Sequence, residues 1–190
     1  IPASVIRFEN NPFSGCTELK LDCRSPYYIE EEGVIYNRFR TSIIGCLNGS
    51  RIDCLTVPES VTQIGRNAFW NCKGIRRIIL TKNIDRIGYN PFAGCENLLI
   101  ENGGNPNFCV GNGIVFDLAH THLLCATDRA IGAYYHVPDG VTHINRGAFS
   151  GCKSLGEIDF GGVTYIDKSS FTNCMGLTEL YIPDAVTYIG

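Results

Sequence analysis

Residues 57–75 of the chain read VPESVTQIGRNAFWNCKGI, and residues 137–155 read VPDGVTHINRGAFSGCKSL. The two stretches share their regularly spaced apolar residues, one proline and one cysteine. Shorter copies of the pattern surround three other phenylalanines: FENNPFSGCTEL at 8–19, IGYNPFAGCENL at 87–98 and IDKSSFTNCMGL at 166–177. Five copies of one pattern within 190 residues indicate a repeat protein.

The spacing of the copies shows a short period inside a longer one. The repeated phenylalanines lie at positions 13, 69, 92, 149 and 171, so the gaps between them are 56, 23, 57 and 22 residues. The basic unit therefore has 22 or 23 residues, and each longer gap contains an additional segment. That segment also recurs, because GVIYN at 33–37 returns as GIVFD at 113–117, 80 residues later.

Both ends of the chain fall inside a repeat. The tail IPDAVTYIG at 182–190 begins a sixth copy and matches the start of the chain, IPASVIRF at 1–8. We therefore expect residues 1–190 to form a single repeat solenoid, truncated at both ends inside a repeat and belonging to a longer protein.

Units of this length predict a stacked architecture, because none of them can bury its own apolar side. Residues 177–183 alternate between apolar and polar positions, which predicts a short strand with Leu180 pointing inward. The spacing of Ala68, Phe69 and Cys72 predicts a single helical or 3-10 turn. We therefore predict a repeat solenoid of short parallel strands and short turns, with roughly eight coils and a length of about 40 Å.

Equal repeat positions should stack along such a rod, and two positions stand out. The cysteines at one position are predicted to be buried free thiols that act as small apolar groups, with disulfides between adjacent coils as the alternative. The predicted structural ladder consists of Phe13, Phe69, Phe92, Phe149 and Phe171, together with Cys16, Cys72, Cys95, Cys152 and Cys174.

Composition and motifs disfavour several classes of function. The net charge is −3, from 16 basic and 19 acidic side chains, which does not suggest nucleic acid binding. No run of about 18 apolar residues occurs, so we expect no membrane insertion by this part of the protein. The histidines align with ordinary polar residues of other copies, and no C-x2-C or H-x3-H spacing predicts a metal site. We predict no catalytic residue, metal, cofactor or enzymatic activity.

Outward-facing strand positions are the best binding candidates of a solenoid. Plain solvent exposure is the simplest interpretation of such side chains. Their mixture of charged and aromatic groups is also typical of a surface that binds protein or glycan rather than a polyanion. The candidate binding residues are Arg77, Ile79, His136, Glu157, Asp159, Glu179 and Tyr181.

The full pattern, [IV]-P-x-x-V-T-x-I-G-x-x-A-F-x-x-C-x-x-L, resembles the BspA-like leucine-rich repeat family, a bacterial branch of the leucine-rich solenoids. The resemblance covers nearly the whole chain, and the segment 33–44 looks like a variant coil of that family. Two coils depart from the pattern: Thr81 replaces the proline, and the coil with Gly161 and Gly162 is one residue short. The resemblance implies a right-handed solenoid with strands on its concave side. It also implies a surface or secreted protein of a host-associated bacterium that takes part in adhesion.

Together with the outward-facing residues, this resemblance predicts a non-enzymatic recognition or adhesion module at the cell surface. Its partner would be an unidentified protein or glycan of a host or neighbouring cell. Two alternatives stay open. One is a structural spacer that projects another domain from the cell, and the other is a non-catalytic part of a larger enzyme.

Overall fold

The computed structural model describes residues 1–8, 10–16, 18–49 and 52–190 of the chain. These residues wind through about seven turns of a solenoid with little helix, where the sequence predicts roughly eight. The described elements, in chain order, are β1 (Tyr28–Glu31), β2 (Val34–Asn37), β3 (Ser42–Cys46), β4 (Cys54–Thr56), β5 (Gln63–Ile64), β6 (Arg77–Thr81), β7 (Arg86–Ile87), β8 (Leu99–Gly103), β9 (Phe108–Gly111), β10 (Ile114–Asp117), β11 (His122–Cys125), α1 (Asp128–Ile131), β12 (Tyr134–His136), β13 (His143–Ile144), β14 (Glu157–Asp159), β15 (Tyr165–Ile166) and β16 (Tyr188–Ile189).

Strands of successive coils fall into two sets of sheets. We call the first set the large sheets; their strand orders are β1-β2-β3-β5-β7 and β9-β10-β11-β13-β15-β16. The second set, the small sheets, has the orders β4-β6-β8 and β12-β14. A coil such as 63–81 thus supplies a short strand to a large sheet and a longer strand to a small sheet.

Neighbouring strands of the ordinary coils run parallel and pair equal repeat positions. In the first large sheet Ile43 pairs with Ile64, which pairs in turn with Ile87. In the three-stranded small sheet Leu55 pairs with Ile78. Apolar side chains at equivalent repeat positions therefore pack against each other and are removed from water. This burial stabilises the stack by about 25 cal/mol for each Å² of apolar surface buried. The predicted repeat solenoid of short parallel strands is confirmed.

The two additional segments depart from the parallel pattern. Strands β1 and β2 form an antiparallel hairpin, as do β9 and β10, and each hairpin pairs antiparallel with the next strand. The cause is local, because Glu32 and Gly33 have φ values of 50° and 88°, and Asn112 and Gly113 have 50° and 80°. Two consecutive positive φ angles are the requirement of a tight hairpin turn. We call the two segments, 28–46 and 108–125, the hairpin coils.

The bend that follows each short strand of a large sheet is a series of tight turns and not a helix. The N–H of Trp70 donates to the carbonyl of Asn67 at 3.1 Å, and the N–H of Cys72 donates to Phe69 at 2.9 Å. Asn67 and Asn71 have φ values of 53° and 54°, which interrupt helical geometry. Within the described residues the one helix, α1, lies in the coil that contains the second hairpin.

The phenylalanine ladder forms in segments rather than as one column. Phe69 stacks on Phe92 with ring centres 5.5 Å apart, and Phe149 stacks on Phe171 at 5.3 Å. Phe92 and Phe149 belong to different apolar clusters, and Phe13 packs instead against Phe8 at the start of the chain. The prediction of a continuous ladder is therefore wrong at these two points. The hairpin coils separate the segments, because they carry no phenylalanine at this repeat position.

The strand predicted for residues 177–183 is absent from this fully described range, and Leu180 is 43% exposed. The coil still continues the stack through its second half, because Tyr188 and Ile189 pair in parallel with β15. This last coil packs against a neighbour on one side only, which explains why Leu180 does not reach the burial of Ile158, its equivalent in the preceding coil.

The ladder cysteines are buried except for one. Cys72, Cys95, Cys152 and Cys174 lie in the interior, whereas Cys16 is exposed, so the prediction is wrong for Cys16. The exposed position belongs to the first coil, which lies at an end of the stack. None of the ten cysteines, all of which the structure describes, forms a disulfide.

Burial favours the protonated form of most interior thiols; Cys72 is an exception, because a hydrogen bond with the side chain of Cys46 lowers its pKa. Cys95 and Cys174 donate to the carbonyls of Phe69 and Phe149, at 2.9 and 3.0 Å. Burial raises the pKa of Cys174 to about 11 and that of Cys125 to about 12. A protonated thiol is a poor nucleophile.

The first prediction concerns the phenylalanine stack. Phe149→Ala removes a fully buried ring that contacts Phe171 and Tyr135. We expect it to lower the free energy of unfolding by about 3–5 kcal/mol, measured by thermal or urea unfolding. Phe39→Ala is the matched control, because Phe39 is 75% exposed. Equal stability of Phe149→Ala and the wild type would contradict the role given to this ring.

The second prediction concerns thiol reactivity. Iodoacetamide at about pH 8 should modify the exposed Cys16 and Cys54 first and leave Cys125 and Cys174 unmodified, because burial raises the pKa of both. Mass spectrometry of proteolytic peptides reads the order of modification. The same reaction in denaturant is the control and should modify every cysteine. Modification of Cys125 as fast as Cys54 in the folded chain would disprove the assigned burial.

Candidate binding surface

The small sheets position most of the predicted binding residues. Alternation along β6 buries Ile78 and exposes Arg77, and alternation along β14 buries Ile158 and exposes Glu157 and Asp159. The buried residues hold each strand on the core, so the outward side chains start from a fixed backbone. We call the outward side chains of the two small sheets the strand face.

One part of the strand face comes from the three-stranded small sheet. Arg77 pairs in register with Cys54 and Leu99, and Ile79 pairs with Glu101. The Nε of Arg77 lies 3.4 Å from a carboxylate oxygen of Glu101, and both side chains reach solvent. An exposed pair of this kind stabilises the fold by less than about 1 kcal/mol, so both charges are available to a partner.

The second part comes from the two-stranded small sheet. Tyr134 pairs with Glu157, and His136 pairs with Asp159. The Nδ1 of His136 lies 2.8 Å from a carboxylate oxygen of Asp159. Hydrogen bonds from the N–H of Gly161 and from His136 lower the pKa of Asp159. Asp159 is therefore an anion at neutral pH, and Tyr134, which lies opposite Glu157, is 55% exposed.

The seven predicted residues do not form one continuous surface. Arg77 and Ile79 lie in one small sheet, and His136, Glu157 and Asp159 lie in the other. The second hairpin coil and α1 separate the two sheets along the chain. The other two predicted residues, Glu179 and Tyr181, are exposed but belong to no strand.

A column of stacked rings on the second large sheet was missed by the sequence analysis. The ring centres of His122 and His143 are 4.3 Å apart, those of His143 and Tyr165 are 5.1 Å apart, and those of Tyr165 and Tyr188 are 4.2 Å apart. We call these four side chains the ring column. A signal for it exists, because His143, Tyr165 and Tyr188 all occupy the x position of V-T-x-I.

Asp117 anchors the first ring of the column. One of its carboxylate oxygens accepts the N–H groups of Thr121 and His122, at 2.7 and 2.8 Å, and the other lies 3.2 Å from Nδ1 of His122. Burial raises the pKa of this carboxyl, but the hydrogen bonds outweigh burial and the net pKa is lowered. In the first hairpin coil the side chain of Asn37 accepts from Thr41 and Ser42 in the same way.

Several histidine and acidic side chains of the described residues have local hydrogen-bonding and ring partners. In the described ranges, no group of three or more His, Cys, Asp or Glu side chains is arranged to hold a metal ion. The hydrogen-bonding partners of the histidines are carboxylates and threonine hydroxyls. A search of the described helices also finds none that is long and apolar enough to cross a membrane.

Comparison with solved structures finds bacterial leucine-rich repeat proteins. A leucine-rich repeat protein from Eubacterium ventriosum is 27% identical with a TM-score of 0.66, over 73% of this chain and 38% of that chain. A leucine rich cell surface protein from Faecalibacterium prausnitzii is 24% identical with a TM-score of 0.61, over 100% of this chain and 50% of that chain. The chain thus spans half or less of the length of either protein.

Comparison with curated protein sequences finds no match. A family model described as the BspA type leucine rich repeat region matches six copies, over residues 35–102 and 133–190. These ranges cover most of the chain and contain four of the five repeated phenylalanines. The chain therefore belongs to the family of BspA-type leucine-rich repeat proteins.

Proposed function

We propose that the chain is a recognition module that binds a protein or glycan of a host or neighbouring cell, without chemistry of its own. The main support for the proposal is the register of the strands that form the strand face. Adjacent coils place outward side chains at equal positions, so Arg77, Ile79 and Glu101 are presented together from two strands of one sheet. Rigid strands lose little conformational entropy on binding, which favours recognition over a flexible surface.

The composition of the strand face supports a polar partner surface. Arg77 and Glu101 offer both signs of charge beside the half-buried Ile79, while the second patch offers Tyr134 and Asp159. Tyrosine and arginine are enriched at the energetic centres of protein interfaces. Leucine-rich repeats in general are a protein-interaction and surface fold, which favours this reading over catalysis.

A location at the cell surface or in the medium is part of the same proposal. The similar protein from Faecalibacterium prausnitzii is described as a cell surface protein. Recognition of another cell requires such a location. The chain spans half or less of the length of the two similar proteins. We propose that another part of the whole protein attaches it to the cell.

Direct binding measurements test the proposal. The chain is immobilised and exposed to a panel of purified extracellular matrix proteins and to a glycan array. We expect at least one ligand to bind, and we expect Arg77→Ala/Glu101→Ala to weaken its binding about tenfold or more. Lys73→Ala/Glu96→Ala is the matched control, because it also removes one exposed charge of each sign, from outside the strand face.

The outcomes separate the alternatives. If folded wild-type chain binds no member of the panel, the spacer is favoured over recognition. If the control weakens binding as much as Arg77→Ala/Glu101→Ala, the strand face is not the binding surface. Turnover of a bound glycan or cleavage of a bound protein would favour a part of an enzyme.

A further inference from the structure

The two large sheets do not join, and a groove lies at their junction. β7 is the last strand of the first large sheet, while the hairpin of β9 and β10 occupies the near edge of the second. A parallel stack would place β11 directly beside β7, but the second hairpin coil interrupts that pairing. The resulting cavity has a volume of about 470 Å³. We call it the junction groove; its walls include Arg66, Arg86, Tyr89, Leu124, Arg146 and Asp167.

Two arginine side chains of the groove contact the ring of Tyr89. The guanidinium carbon of Arg66 lies 4.6 Å from the centre of the Tyr89 ring, and that of Arg146 lies 4.1 Å from it. Arg66 also donates to the hydroxyl of Tyr89 at 3.3 Å. Contacts between a cation and a ring face hold each arginine in place. The ring of Tyr89 thus holds two guanidinium groups in place, although their positive charges repel each other.

The wall of the groove contains three arginines and one acidic side chain. Among the described residues, no carboxylate forms an ion pair with Arg66, Arg86 or Arg146. The acidic side chain in the wall, Asp167, accepts the N–H of Lys168 at 2.6 Å. The groove therefore has an excess of positive charge in a chain whose net charge is −3. Uncompensated like charges cost stability, and such a local cost is typical of a functional site.

The earlier junction, 80 residues before, also has a cavity, although Ile6 and Glu9 stand there at the positions of Arg86 and Tyr89. A second cavity of about 340 Å³ lies between the first coil and β3. Arg7 and Arg66 contribute to its walls, and Arg66 is the equivalent of Arg146 one long period earlier. Because Arg66 contributes to both cavities, the two form one basic track along the large sheets.

From this track we infer that the chain has a binding site for a linear acidic glycan, whose sulfate or carboxylate groups the arginines of the junction groove bind. The guanidinium group has a planar pair of donors that matches a carboxylate or a sulfate. Repeated arginines along a rod match a polymer with an anionic group on every unit. A cavity of this size admits a sugar unit but not a folded protein surface.

Nucleic acid fits the same track less well. A duplex gains its affinity from about 6–10 phosphate contacts, and the track offers four arginines on a chain of negative net charge. The site also lies on the large sheets, whereas the proposed function concerns the strand face of the small sheets. Binding by the strand face and glycan binding by the groove are therefore tested separately, each with its own variant.

Titration of the chain with defined oligosaccharides tests the inference. The probes are a heparin octasaccharide, an oligogalacturonate without sulfate, a neutral dextran oligosaccharide and a short DNA duplex, each at low salt. The variant is Arg86→Gln/Arg146→Gln. Its control, Arg24→Gln/Arg76→Gln, removes two exposed arginine charges that lie outside both the junction groove and the strand face.

We expect at least one of the two acidic glycans to bind the wild type, while dextran does not. Binding should weaken about tenfold or more in Arg86→Gln/Arg146→Gln and by less than about twofold in the control. If heparin binds and the oligogalacturonate does not, the arginines recognise the sulfate groups. If both glycans bind, a carboxylate group on each sugar unit is sufficient for binding. The melting temperatures of both variants verify that they are folded.

Three results would overturn the inference. The first is the failure of both acidic glycans to bind the folded wild type. The second is an equal loss in both variants, because that would show an effect of total charge rather than of the groove. The third is a DNA duplex that binds as tightly as the better glycan, which would make the track a nucleic acid site.

Discussion

Hydrogen bonds between consecutive coils are the constraint on which the molecule depends. The N–H of Gly65 donates to the carbonyl of Ile43 at 2.8 Å, and the N–H of Gly88 donates in the same way to Ile64 at 2.8 Å. The coils approach each other closely at these bonds, because a Cβ on Gly88 would lie 2.6 Å from the backbone nitrogen of Arg66. Each coil thus supplies the template for the next, and a single coil has no fold of its own.

The hairpin coils interrupt this template and thereby create the surfaces of interest. They divide the phenylalanine stack, separate the small sheets into two groups and leave the junction groove between the large sheets. The ordinary coils stabilise the solenoid by stacking, whereas the hairpin coils make one region of its surface different from the next. Both candidate binding regions follow from the alternation of these two kinds of coil.

The sequence predicts the stacking well and the interruptions poorly. Equal repeat positions carry the same residue type, so pairs such as Ile43 with Ile64 can be read from the spacing. The hairpin of β9 and β10 has its own signal in Asn112-Gly113, a dipeptide that favours two positive φ angles. The repeat pattern identifies that segment only as a variant coil, and it does not reveal that the strands of the coil run antiparallel.

The candidate site was predicted only in part, for a physical reason. Alternation along a strand tells which side chains face outward, and it places Arg77 and Glu157 correctly on the exposed side. It does not tell which coils are neighbours across a hairpin, so the separation of the two patches could not be predicted. The contact of Arg146 with Tyr89 joins residues of different coils through the groove, and no spacing in the sequence records it.

Native-state hydrogen exchange tests the stacking of coils most directly. The amides of Gly88 and Asp167, which donate to Ile64 and Ile144 of the preceding coils, should exchange at least about a thousandfold more slowly than in an unfolded chain. Exchange of these two amides at the rate of unstructured peptide, in a chain that is otherwise folded, would contradict the stacking of coils.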